Sequence, residues 1–125
     1  MTPNGPAHHS PQFEASFEER DGVAVVHARG EVDIATAPLL SEVLREASAD
    51  GAPLLVADLA GVTLLDSTGL GALIEHLGQL REQGGRTELR LVVVEPQVKK
   101  VLAITGLDQI FSIFASIEEA IALAV

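Results

Sequence analysis

The amino-terminal part of the chain carries two short segments whose side chains have the spacing of β-strands. Residues 13–18 alternate between apolar and polar side chains, as in a strand with one buried face. Residues 23–28 form a second, mostly apolar segment, and Asp21-Gly22 between the two is a favoured two-residue turn. The pattern predicts a β-hairpin.

Beyond the hairpin, apolar residues at helical spacing alternate with short continuous apolar runs. The helical spacing indicates amphipathic helices, and the continuous runs indicate buried strands. The predicted strands cover residues 54–59, 89–94 and 110–114. The first predicted helix starts at Thr36 and Pro38 and ends at Asp50-Gly51, and the second carries Leu70 to Leu80 and ends at Gly84-Gly85. The third runs from Pro96 to Gly106, and the last is capped by Ser116 and Glu119 and runs towards Val125.

Alternating strands and helices imply right-handed crossovers and a largely parallel sheet. We therefore expect a single α/β domain over 13–125, with a mostly parallel mixed sheet of about five strands, an N-terminal antiparallel hairpin and about four helices. Residues 1–12 contain three prolines and no charged side chain, so we expect a flexible tail there. His8-His9 lies within that tail, and two adjacent histidines without further donors are not expected to form a metal site.

The chain is strongly acidic, with 18 Asp and Glu against 8 Lys and Arg and a formal net charge of −10. Such a surface repels nucleic-acid phosphates and anionic membranes, so we expect neither nucleic-acid binding nor direct membrane binding. No apolar run approaches the roughly 20 residues of a membrane span, and no signal peptide is evident. The chain has no cysteine, which is compatible with the cytoplasm, the location that we expect.

The segment from Leu64 to Gly71 is the first candidate site, because it links a buried strand to an amphipathic helix. Asp66, Ser67 and Thr68 all have side-chain oxygens that can cap a helix, and one cap contributes about 1 kcal/mol. Three such residues exceed what one cap needs. A phosphate on Ser67 would meet the amides and the positive end of the helix dipole, so the fold would tolerate it.

Two enzymatic interpretations of the same segment fail on its residues. Gly69-Leu70-Gly71 begins a dinucleotide-binding pattern, and Glu88 lies near the expected acidic position, but Ile74 replaces the third glycine. A serine hydrolase needs a base beside Ser67, yet His76 is more than about 10 Å further along the same helix. His27 lies in a strand, where packing or edge exposure explains it. We expect no catalytic residue, no cofactor and no metal.

The second candidate segment is residues 30–38, which ends a strand and starts a helix. It places Glu31 and Asp33 at a strand end. Because parallel strands end at the same edge of a sheet, we expect these two carboxylates at the same edge as Ser67. We call this edge, formed by residues 30–38 and 64–71, the rim. Thr36 is the predicted cap of the helix that follows.

Both segments resemble motifs of the STAS domain in anti-sigma factor antagonists. Members of this family carry a G-E-[LV]-D-x-x-T-A stretch, similar to Gly30–Ala37, and a D-S-[ST]-G-[LI]-G motif, similar to Asp66–Gly71. A third stretch, V-x-x-x-L-x-x-[ST]-G-L-x-x-[IL]-F, is similar to Val98–Phe111. The resemblance covers residues 13–125, and it implies the α/β fold that the periodicity predicts.

The resemblance also implies a function and a set of site residues. Ser67 would be the phosphoacceptor, Thr68 a second candidate acceptor, and the partner an anti-sigma factor with serine kinase activity and a histidine-kinase-like ATPase fold. The unphosphorylated protein would bind this kinase and free a sigma factor, and a serine phosphatase would reset the switch. The alternative is a STAS subunit of a lipid or anion transport complex without phosphorylation. The predicted partner-binding residues are Glu31, Asp33, Thr36, Asp66, Ser67, Thr68, Gly69 and Gly71.

Overall fold

A computed structural model describes residues 8–122, apart from the side chain of Arg20. Strands and helices alternate along most of the chain, as the apolar spacing predicts. The strands are β1 (His8–Ser10), β2 (Phe13–Arg20), β3 (Val23–Val32), β4 (Leu54–Leu65), β5 (Glu88–Val92) and β6 (Ser112–Phe114). The helices are α1 (Ala37–Ser48), α2 (Ser67–Glu82), α3 (Pro96–Ile104) and α4 (Ile117–Ala122), with a 3₁₀ turn at Leu107–Gln109.

The six strands form one mixed sheet in the order β1-β2-β3-β4-β5-β6. The pairs β1–β2 and β2–β3 are antiparallel, whereas the pairs β3–β4, β4–β5 and β5–β6 are parallel. Asp21 and Gly22 both have positive φ, 54° and 80°, as a tight hairpin turn of two residues requires. The predicted fold class and the hairpin are confirmed.

The first strand corrects the expectation of a flexible tail through residue 12. Residues His8–Ser10 pair antiparallel with β2, and His8 packs against α1. Its Nε2 lies 3.0 Å from an Oε of Glu46, and its Nδ1 lies 3.6 Å from an Oε of Glu42. Backbone pairing and these contacts of His8 hold the strand without an apolar pattern, which is why the sequence did not indicate it. The rest of the predicted tail, residues 1–7, lies outside the described residues.

Strands β3 and β4 extend beyond their apolar cores to Val32 and Leu65, so both are longer than the apolar runs predicted. Their pairing shifts register twice, between His27 and Arg29 and between Gly30 and the next residue. Gly30 has a φ of +106°, and a Cβ there would lie 2.1 Å from a backbone carbonyl oxygen. These bulges break the regular alternation of side chains, so the sequence pattern does not predict the ends of β3 and β4.

Alternate residues of the strands fall into two apolar clusters on opposite faces of the sheet. The larger cluster includes Leu55 and Leu91 and packs against α1, α2 and α3. The smaller cluster includes Val56 and packs against the short helix α4. Ser116 Oγ accepts a hydrogen bond from the Glu119 amide at 3.1 Å, as predicted for the start of α4. Within residues 8–122, no helix is long and apolar enough to cross a membrane.

Candidate functional site

The two candidate segments lie side by side at the carboxyl edge of the sheet. Strands β3 and β4 are parallel neighbours, and Glu31 pairs with Leu64 in their ladder. The amide of Asp66 then donates a hydrogen bond to the carbonyl oxygen of Val32, at 3.1 Å. The expected position of Glu31 and Asp33 on the same rim as Ser67 is confirmed.

Asp66 caps α2, and this settles which of the three candidate residues performs the capping. Its Oδ1 accepts hydrogen bonds from the amides of Thr68, at 2.9 Å, and Gly69, at 3.1 Å. Ser67 is the first residue of the helix and is exposed. Within the described part of the chain, its hydroxyl makes no hydrogen bond. The cap and the free hydroxyl therefore belong to different residues.

Thr36 does not cap α1 through its side chain, which corrects the prediction. Its hydroxyl donates to the carbonyl oxygen of Glu31 at 2.7 Å and accepts from the amide of Asp33 at 2.9 Å. The Oδ1 of Asp33 in turn accepts from the amides of Ala35, at 2.9 Å, and Thr36, at 3.1 Å. Thr36 is only 1% exposed. It braces the loop from inside and does not present a contact to a partner.

The two glycines of the second segment have opposite surroundings. Gly69 is buried, and a Cβ there would lie 2.5 Å from Leu65 Cδ1 and 2.7 Å from Val32 Cγ1. Gly71 is exposed, and its Cβ would meet no atom within 4 Å. Gly69 therefore lets α2 approach the ends of β3 and β4, and it offers no surface to a partner. Of the predicted contact residues, Thr36 and Gly69 act from inside the rim.

The rim also exposes apolar side chains that were not among the predicted contacts. Ile34 follows Asp33 and is 78% exposed, Leu64 precedes Asp66, and Val94 follows the end of β5 and is 46% exposed. The signal for Ile34 is present in the sequence, because this isoleucine precedes the helix start and lies outside the apolar stripe of α1.

The histidines considered as partners of Ser67 are engaged elsewhere. His76 is buried, and its Nε2 lies 2.8 Å from Ser48 Oγ. Because Ser48 Oγ donates to the carbonyl oxygen of Leu44, the imidazole is the donor in this bond. Burial lowers the pKa of His76, a hydrogen bond with Gln79 raises it, and nearby Arg45 lowers it.

His27 lies on the sheet face, between carboxylates of neighbouring strands. Its Nε2 is 2.8 Å from Glu18 Oε2, and its Nδ1 is 3.5 Å from Asp58 Oδ2. Among the described residues, no group of histidine and carboxylate side chains has the arrangement of a metal site.

Most of the chain matches the model of a known domain family. The family model of the STAS domain matches residues 14–120. Anti-sigma-F factor antagonist RsfB of Mycobacterium tuberculosis is 35% identical over 107 residues, which cover 82% of each chain. The crystal structure of an anti-sigma factor antagonist from Mycobacterium paratuberculosis superposes with a TM-score of 0.82 at 33% identity, over 90% of this chain and 95% of that one.

A transport protein shares the fold at lower identity. The crystal structure of a sulfate transporter family protein from Wolinella succinogenes superposes with a TM-score of 0.70 at 24% identity, over 82% of this chain and 84% of that one. At that identity the likeness extends to the fold alone. The chain thus belongs to the STAS domain family, in the branch of the anti-sigma factor antagonists.

Proposed function

We propose that this protein is an anti-sigma factor antagonist that phosphorylation of Ser67 switches off. Its unphosphorylated form binds an anti-sigma factor with serine kinase activity, and this binding frees a sigma factor. The observation that carries the proposal is the division between Asp66 and Ser67. Asp66 holds the cap of α2, while the Ser67 hydroxyl is exposed and makes no hydrogen bond within the described residues.

The start of α2 can accept a phosphate without losing its fold. A phosphoserine adds about −1.5 to −2 charges and three acceptor oxygens. At Ser67 these oxygens face the positive end of a 16-residue helix dipole, which favours negative charge there. The capping bonds to Thr68 and Gly69 come from Asp66, so the modification leaves them in place. The switch therefore acts through surface recognition.

Charge repulsion explains why the phosphorylated form would leave the kinase. The acceptor hydroxyl has to reach the terminal phosphate of ATP in the partner, so the new phosphoserine faces the diphosphate that remains after transfer. The carboxylate of Asp66, the residue before Ser67, adds a like charge beside the phosphate. Ser67 is thus both a contact in the bound state and the position at which that contact is broken.

The other rim residues support this role in different ways. Glu31 and Thr68 are exposed and available to the partner, and Thr68 is a second candidate acceptor. Gly71 leaves open space one turn into α2 for a close approach. Asp33, Thr36 and Gly69 hold the rim in shape. The protein is the substrate and not the enzyme, so ATP belongs to the cytoplasmic kinase, and a separate serine phosphatase removes the phosphate.

The test is a pull-down from the native cytoplasm followed by labelling with the recovered kinase. Wild-type protein should capture an ATPase of the histidine-kinase-like fold, and Ser67→Asp should not. Ser67→Ala should bind this kinase without taking up phosphate, whereas the neighbouring control Thr68→Ala should be labelled like wild type. Labelling of Ser67→Ala at the wild-type level would refute Ser67 as the acceptor. Recovery of membrane transport subunits in place of the ATPase would favour the transport alternative.

A further inference from the structure

Ile34 is the most exposed of the large apolar side chains in the described residues, at 78%. It lies at the tip of the loop between β3 and α1, outside the apolar stripe by which α1 packs on the sheet. An apolar side chain that a fold holds in water is worth explaining when its neighbours are also exposed and apolar. Here Leu64 and Val94 are exposed at the ends of the next two strands.

Hydrogen bonds hold the backbone of the loop on both sides of Ile34. The residues on either side of its tip, Asp33 and Thr36, exchange hydrogen bonds of 2.9 and 3.1 Å, and Thr36 is anchored to the Glu31 carbonyl oxygen at 2.7 Å. Ala35 is bonded to Asp33 as well. A loop that is already ordered loses little backbone entropy when a partner binds it, so more of the burial of Ile34 appears as affinity.

The position of Ile34 ties it to the phosphorylation site. Val32, two residues before it, accepts the amide hydrogen of Asp66 and packs against the position of Gly69. The start of α2 and the Ile34 loop are therefore held to the same strand end. Ser67 and Ile34 therefore lie at the same edge of the sheet, at the ends of β3 and β4.

The charge of the rim limits the chemistry of the partner. The chain has no Lys or Arg between Arg29 and Arg45 or between Arg45 and Arg81, which includes both rim segments. The carboxylates of Glu31, Asp33 and Asp66 lie at this edge. A complementary surface needs an apolar pocket with cations around it.

We infer that Ile34 is the apolar anchor of the kinase interface. It inserts into an apolar pocket beside the nucleotide site of the partner, and Lys or Arg side chains around that pocket face Glu31 and Asp33. The inference rests on the proposed function and adds to it the residue that contributes most to affinity without taking part in phosphate transfer. Such central apolar anchors carry much of the binding energy of protein interfaces.

The experiment compares Ile34→Ser with Ile104→Ser, using the purified kinase recovered by the wild-type pull-down. Ile104 is a matched control, because it is 73% exposed and ends α3, outside the rim. Both variants should melt like wild type. By calorimetric titration, Ile34→Ser should bind the kinase at least about tenfold more weakly, because serine loses the burial of the apolar side chain. Ile104→Ser should bind within about twofold of wild type.

The outcomes separate the two proposals. If wild type binds and is phosphorylated but Ile34→Ser binds equally well, Ile34 is not the anchor and the proposed function stands. If wild type binds no kinase, both proposals fall. Salt tests the cationic surroundings of the pocket, because wild-type affinity should drop between low and moderate ionic strength. Affinity that is independent of salt would overturn the assignment of a cationic partner surface.

Discussion

Alanine substitutions at Gly69 and Gly71 should have opposite effects on stability, although the two residues are in the same helix. A glycine inside a helix costs about 0.5–1 kcal/mol relative to alanine, because the unfolded glycine has more conformational freedom. At Gly71 the new methyl group meets no atom within 4 Å. Gly71→Ala should therefore stabilise the protein by about 0.5–1 kcal/mol.

At Gly69 the same methyl group has no room. It would lie 2.5 Å from Leu65 Cδ1 and 2.7 Å from Val32 Cγ1, and both side chains are at most 1% exposed. Val32 is β-branched, so its χ1 rotation is restricted. Overpacking of this kind costs about 1–3 kcal/mol, which exceeds the gain from helix propensity. We expect Gly69→Ala to lower the free energy of unfolding by about 1–2 kcal/mol.

Thermal and urea unfolding followed by far-ultraviolet circular dichroism measure the difference. At roughly 4 °C per kcal/mol for a chain of this size, the two variants should melt about 8 °C apart. Gly78→Ala is the matched control, because Gly78 is also in α2 with no atom within 4 Å of its Cβ position. It should behave like Gly71→Ala. If Gly69→Ala melts at or above Gly71→Ala, the close packing of α2 on Val32 is not what requires a glycine there.

Two further predictions concern buried polar groups. Thr36→Val keeps the shape of the side chain but removes its hydrogen bonds to Glu31 and Asp33. The free energy of unfolding, measured by urea titration, should therefore fall by about 2–3 kcal/mol. Thr105→Val also removes hydroxyl bonds, to the carbonyl oxygens of Val101 and Leu102, but at an exposed threonine where water can replace them. It should change stability by less than about 0.5 kcal/mol, and equal losses in the two variants would contradict a structural role for the buried Thr36 hydroxyl. Burial lowers the pKa of His76 in the folded state, so the unfolded state gains its proton first as the pH falls. The free energy of unfolding should keep its full value above the ordinary histidine pKa of about 6.5 and should decline as the pH falls below it. His76→Gln should make that decline less steep. An unchanged slope would contradict a buried imidazole that is neutral in the folded state.

The fold was predictable because its core strands and helices have distinct apolar periods. Residues 13–18 and 54–59 display the strand pattern, and the apolar residues of α1 recur at helical spacing. The missed strand β1 is held by backbone pairing at a sheet edge and by His8, neither of which leaves an apolar pattern. The far end of β4 was missed because two bulges disturb its alternation.

The site was predictable in its position but not in the roles of its residues. Spacing along the chain places Asp66, Ser67 and Thr68 at one helix start, and any of the three is a competent cap by composition. Only the backbone geometry shows that Asp66 Oδ1 reaches two amides. In the same way, a threonine before a helix looks like a cap, whereas Thr36 bonds back to its own loop. These contacts depend on the direction of each side chain, which periodicity does not encode.

The separation of structural and exposed roles within one short motif makes a charge switch compatible with a stable fold. If Ser67 were itself the cap, its phosphorylation would alter the bonds that start α2, and the domain would change stability with its signalling state. Asp66 caps the helix and Gly69 packs against the strands, so Ser67 and Thr68 between them are exposed. A phosphate on Ser67 would then change the surface charge without changing these contacts. Stability and recognition should then respond to different substitutions: stability to those at Gly69 and Thr36, and binding to those at Ser67 and Ile34.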